Sequence, residues 1–137
     1  MVDLDRRLFI LNPNGRKQTK KYRPTVPVPD FLMPRLLEAR SGPLITWRCQ
    51  PIESMKSAFR RMRRDAGLGQ DVVAKTIRYT MAAHIRSCGV DGAEIQGILG
   101  HSAFKGKTEV YAKFSPNYLG GARKAIDEYM ACVLVAC

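Results

Sequence analysis

From Pro51 onward the apolar residues of this chain fall at the spacing of an α-helix, and two glycines, Gly89 and Gly100, cut that pattern into separate segments. Ile52, Met55, Phe59 and Met62 recur at helical intervals with Lys56, Arg60, Arg61, Arg63 and Arg64 on the other face, which predicts an amphipathic, strongly basic helix over 52–66. Val73, Ile77, Met81 and Ile85 repeat the pattern and predict a second helix over 71–88 with those four side chains buried, ended by Gly89. Asp91 then stands where an N-cap is needed for a shorter helix, "GAEIQGIL", which Gly100 ends. In "SPNYL", Ser115 as N-cap and Pro116 at the first position predict a last helix reaching about Val135.

The front third is patterned differently. "RLFIL" (7–11) and "PTVPV" (24–28) are short extended runs, and the "NPNGRKQTKKYR" between them has the Asn-Gly and proline signals of a turn and the lysines of a solvated one. A β-hairpin with a cationic tip is expected. A short helix over 30–40 follows, which Asp30 can cap and Pro34 limits, and then a third extended run, "PLITW" (43–47). The fold class is therefore α+β, mainly α, as a single domain over 1–137 without internal repeats.

The charge balance points to the partner. Lys and Arg number 23 against 12 Asp and Glu, a formal +11, and a surface that positive attracts polyanions, with double-stranded DNA first among them. No stretch approaches the ~18 consecutive apolar residues of a membrane span, and "MVDLDRRLFI" is not a signal peptide, so no membrane association and a cytoplasmic location are expected. Cys49, Cys88, Cys132 and Cys137 form no C-x-x-C pair, and His84 and His101 are the two histidines. That is not zinc-ligand spacing, so no metal and no cofactor are expected, and the cysteines are read as reduced and mostly buried.

Lys75 and Arg78 lie three apart on the second helix and project from one side, where two cations can grip one phosphate. His101 follows a helix-ending glycine, and Tyr111 lies on a short segment able to fold back over it. His84, between Met81 and Ile85, is read as a packing residue instead.

"IRYTMAAHIRSCGVDGAEIQGILGHSAFKGKTEVYAKFSPNYL" resembles the C-terminal catalytic region of tyrosine recombinases of the phage-integrase family. The family's His-x-x-Arg, Leu-Gly-His and tyrosine motifs read here as "KTIR", "LGH" and "VYAKFSPNYL". The interval from Arg78 to His101 is the one the family usually keeps, and Tyr111 falls one position later than in its commonest members. Upstream, "VDLDRRLFILNPNGRKQTKKYRPTVPVP" resembles the family's β-hairpin, whose turn holds a catalytic lysine. Two departures stand out: the histidine of His-x-x-Arg is Lys75, and the family's first catalytic arginine, in a Gly-Leu-Arg-x-x-Glu-like segment ahead of the hairpin, has no counterpart, nor does the N-terminal DNA-binding domain.

The resemblance implies a metal-free exchange of DNA strands through a 3′-phosphotyrosyl bond, as in site-specific recombination and integration. Tyr111 is the implied nucleophile, Arg78 and His101 hold the phosphate, and Lys75 donates a hydrogen bond to it. Lys20 is the implied general acid on the hairpin tip, with Lys17 and Lys21 as neighbouring alternatives and DNA contacts. Arg60, Arg61 and Arg64 are expected on the DNA backbone, and the apolar "YMACVLVAC" is expected to join protomers, as tetramers in the family. Lacking the first arginine, the chain alone is expected to be impaired. The rival expectation is a DNA-binding protein without catalysis, because the glycine turn and basic segment around 89–114 also resemble a helix-turn-helix.

Overall fold

The computed structural model describes residues 1–12, 23–39, 42–48, 50–52, 54–101, 111–113 and 115–136, apart from the Trp47 side chain. A three-stranded antiparallel sheet opens the chain, with β1 (Val2–Asp3), β2 (Leu8–Ile10) and β3 (Thr25–Pro27) in that order. Val2 faces Phe9 and Phe9 faces Val26, so the expected hairpin pairs as β2 and β3. The β1 strand was not expected from its two residues. It is held because Ile10 and Met1 exchange hydrogen bonds, Ile10 N–H to the Met1 carbonyl at 2.9 Å and the Met1 ammonium to the Ile10 carbonyl at 3.1 Å.

A 3-10 turn (Asp30–Leu32) leads into α1 (Met33–Glu38), and β4 (Thr46–Trp47) pairs with β5 (Gln50–Pro51) as a small separate hairpin. This corrects the expected start of the basic helix at Pro51. The Ile52 N–H donates to the Ile45 carbonyl at 3.3 Å, so the backbone there continues the hairpin ladder, and α2 runs over Lys56–Asp65. Then come α3 (Ala74–Ser87), α4 (Gly92–Leu99) and α5 (Gly120–Val135).

The last of these starts later than Ser115 and Pro116 predict. Residues 115–119 form turns, with the Tyr118 N–H on the Ser115 carbonyl at 3.1 Å, and Leu119 takes a left-handed backbone (φ 51) that no continuous helix can pass through. The cap comes from another element: the Glu94 carboxylate on α4 accepts the Ala122 N–H at 3.0 Å, a charge placed at the positive end of α5.

The core lies where α3, α4 and α5 meet. Ile85, Ala122 and Ala125 are buried there, with Met81, Val90, Ile95, Ile98 and Ile126 packed around them. The two alanines on α5 leave room for α3 to approach closely. Leu8, Val28 and Leu119 are buried as well. Side-chain bonds tie the front third to the helices: the Asp127 carboxylate accepts the Phe31 N–H at 3.1 Å, and Asp30 lies 3.2 Å from Arg7 and 3.8 Å from Arg123.

Of the stripe expected inside α3, Met81 is half-buried and Ile85 fully buried, whereas Val73 and Ile77 are 48% and 61% exposed. The helical spacing is real, but α4 and α5 cover only the C-terminal half of α3. Removing the Ile85 side chain to alanine is therefore expected to destabilise the fold by about 2–5 kcal/mol, with Ile77→Ala within about 0.5 kcal/mol. Urea unfolding of the two variants checks this directly. The expected burial fails for Cys88 and Cys132, which are exposed and unbridged, while Cys49 and Cys137 lie outside the described residues. Among the described residues no helix is long and apolar enough to cross a membrane.

Candidate functional site

The end of α4 sets the position of His101. Asp91 caps the start of the helix through the Ala93 N–H at 2.8 Å, and Gly100 ends it with φ +66, a backbone conformation that a side chain disfavours. The His101 N–H then returns to the Gln96 carbonyl at 2.9 Å. That six-to-one closure fixes the backbone on which the imidazole is carried, and the residue is exposed.

Arg78 reaches the same place from α3. Its guanidinium Nη2 donates to the Leu99 carbonyl, the last residue of α4, so α3 and the Gly100–His101 turn are joined by a cation at the negative end of a helix. A guanidinium has five N–H donors, and one carbonyl uses one of them. An exposed Arg78 next to the His101 turn thus combines a permanently charged fork with an imidazole at the surface. Sequence spacing alone had no means of finding the Leu99 carbonyl as the anchor, because a backbone acceptor leaves no mark on residue identity.

Lys75, one turn earlier, is exposed, and its Nζ lies 4.9 Å from the centre of the Tyr79 ring. That is cation–π geometry, in which a ring face attracts an ammonium ion. Tyr111 lies in a helical turn and is 74% exposed, and the chain after it closes through the Ser115 N–H and the Ala112 carbonyl at 2.9 Å. Among the described residues, Arg78 and the His101 turn are the members brought together, while Tyr111 stands on the far side of 102–110, which lie outside the described residues. Lys17, Lys20 and Lys21 also lie outside them.

Arg60, Arg61 and Arg64 are exposed along α2. The Arg60 Nε donates to the Lys56 carbonyl at 3.3 Å, and Arg61 pairs with Asp65 at 3.7 Å, a surface pair that leaves the helix strongly positive. The structure adds cations that the sequence had not grouped. Arg6, Arg7, Lys113 and Arg123 line one cleft of about 450 Å³ with Asp5, Ser115 and Tyr118. They come from the β1–β2 turn, the stretch after Tyr111 and the first turn of α5, segments too far apart in sequence for spacing to group them. This cleft sits at the end of the sheet opposite the one that 13–22 leaves from.

His84 packs as expected. Its ring meets the Tyr129 ring with centroids 4.8 Å apart, and its Nε2 lies 3.5 Å from the Cys88 sulfur. Among the described residues no group of three or more His, Cys, Asp or Glu side chains is arranged to hold a metal ion.

Comparison with protein-family models, with characterised proteins and with solved structures finds no match to this chain.

Proposed function

We propose that this chain is the catalytic part of a DNA strand transferase of the tyrosine-recombinase type, with Tyr111 as nucleophile. The observation that supports the proposal is the Arg78 bond to the Leu99 carbonyl, which ties the arginine of "KTIR" to the backbone two residues before the histidine of "LGH". In this reading the two motifs share one ligand, and a phosphodiester suits a guanidinium and an imidazole donor. Exposure of all four residues, Lys75, Arg78, His101 and Tyr111, suits a substrate as large as a duplex.

In the proposed step the Tyr111 oxygen attacks the scissile phosphorus, the bond to the 5′-oxygen breaks, and the DNA is left joined to the protein through its 3′-phosphate. Arg78, His101 and Lys75 meet the charge that builds on the nonbridging oxygens. Lys20 gives its proton to the departing 5′-oxygen. The phosphotyrosyl bond retains the energy of the broken one, so a second 5′-hydroxyl can reverse the step without ATP. The family's first arginine has no counterpart in 1–137, so a fragment carrying a Gly-Leu-Arg-x-x-Glu segment belongs in the assays.

Two tests bear on the parts of this reading. A nicked duplex whose scissile 5′-oxygen is replaced by sulfur needs no proton on its leaving group. It should restore cleavage to a Lys20→Ala variant, and failure to do so while Lys17→Ala or Lys21→Ala is rescued would move the acid to that neighbour. Duplex binding should weaken steeply with salt, and the slope of log K against log salt should shrink by roughly 0.9 for each of Arg60, Arg61 and Arg64 replaced by glutamine if each meets a phosphate.

A second reading, DNA binding without chemistry, draws on the exposed basic face of α2, which needs no nucleophile. It keeps the salt dependence and loses the covalent bond.

A further inference from the structure

Residues 56–77 leave an apolar surface that the rest of the chain does not cover. No residue of α2 is buried, and Met55, Met62 and Val73 are 49%, 58% and 48% exposed. With Phe59 they form the floor of a groove of about 670 Å³ between α2 and the start of α3.

The groove is preformed. The Gly67 turn (φ +66) reverses the chain after α2, with the Leu68 N–H on the Arg63 carbonyl at 3.0 Å. The Arg63 guanidinium then crosses to the other wall, where its Nη1 donates to the Gln70 and Val72 carbonyls at 3.1 and 3.3 Å. A polar latch therefore holds the two walls at a fixed spacing while the apolar floor stays open. Lys56 stands at the rim with Arg60, which the proposed function also sets against DNA, and among the described residues no carboxylate lines the groove.

We infer that this groove is a docking site for an amphipathic helix of another polypeptide, one whose apolar stripe is flanked by acidic residues. An apolar floor that runs along α2, with Val73 and Ala74 on its other side, fits a helix laid lengthwise, and methionine side chains adapt to its relief. The cationic rim selects the charge of that helix. It also disfavours a second copy of the same groove, which brings like charges together. The apolar tip of α5 from a second copy fits the floor but not the rim, because 129–137 contain no acidic residue. A DNA backbone fits the rim but not the floor.

The test uses the full chain with its methionine methyl groups labelled for NMR, titrated with two helical peptides of about 14 residues that share a leucine stripe at i, i+3/i+4 and i+7. One carries glutamate beside the stripe and the other lysine. The glutamate peptide is expected to shift the Met55 and Met62 methyls, leave Met81 unmoved, and bind at least about tenfold more tightly than the lysine peptide. Met62→Lys should weaken it by about tenfold or more, while Lys124→Gln on α5 should not, with unchanged Met81 and Ile85 signals showing that both variants remain folded. Equal binding of the two peptides, shifts confined to other methyls, or Met55 and Met62 signals that move on dilution of the protein alone, as in self-association, each overturn the inference. So does displacement of neither methyl by any peptide when a DNA duplex shifts both.

Discussion

A Tyr111→Phe chain is expected to form no covalent adduct with a nicked duplex, while its affinity for the same duplex stays within about twofold of the unsubstituted chain. The physical reason is that the substitution removes one oxygen and little else. In the proposed step the phenolic oxygen is the atom that becomes bonded to phosphorus, and no other group on the ring can take its place. Its exposure, 74% of the side chain's residue surface, means that no packing is lost with the hydroxyl. In the proposed reading, binding rests on Arg60, Arg61 and Arg64 and on Lys17, Lys20 and Lys21, so it should be nearly indifferent to one phenol. Filter binding and a denaturing gel on the same samples read the two quantities separately. Loss of both together would show that Tyr111 supports the fold or the DNA contact instead of the reaction.

Arg78→Ala is the second large effect. Removing one preorganised donor to a developing charge typically lowers a rate by about 10² to 10³. Here a further loss is expected, because the same guanidinium holds the Leu99 carbonyl and hence the turn that carries His101. Arg78→Lys keeps a cation but not a planar fork, so it should recover duplex binding more fully than the rate. The signature to look for is a fall in single-turnover cleavage of about 10³ for Arg78→Ala, with a smaller fall in binding and an unfolding midpoint that drops only modestly. A rate loss matched by the loss in His101→Ala alone would indicate that Arg78 acts wholly by positioning the turn. No rate loss would remove Arg78 from the site.

Those two variants also mark what a reader of the sequence can and cannot see. Glycine stops and an aspartate cap are local chemistry, so α4 was legible to within a residue at both ends: Asp91 caps it and Gly100 ends it. The β2–β3 hairpin was legible for the same reason, since alternation and an Asn-Gly turn are short-range signals. Val73 and Ile77 were misread because periodicity reports which face is apolar and not whether another element arrives to cover it. Ser115 and Pro116 carry correct helix-start signals, yet a left-handed Leu119 and a carboxylate from α4 decide where α5 begins. Both of those are tertiary facts. Pro51 likewise looks like a helix start and is drawn into a strand pair by the Ile45 carbonyl beyond it.

The site divides along the same line. The interval between Arg78 and His101 is visible in the sequence, and the contact that joins their segments passes through a main-chain carbonyl. Cations gathered from the β1–β2 turn, the stretch after Tyr111 and α5 have no shared spacing and became a group only in three dimensions.

The most direct measurement is the chemical identity of the bond between protein and DNA. The chain is incubated with a nicked duplex, in the presence of a fragment supplying the Gly-Leu-Arg-x-x-Glu segment, then digested and mapped by mass spectrometry. The account predicts a nucleotide attached through its 3′-phosphate to the peptide containing Tyr111, with a free 5′-hydroxyl on the released strand. A duplex bound in a salt-sensitive manner with no phosphotyrosyl peptide, or an adduct on Tyr79, Tyr118 or another side chain, would contradict it.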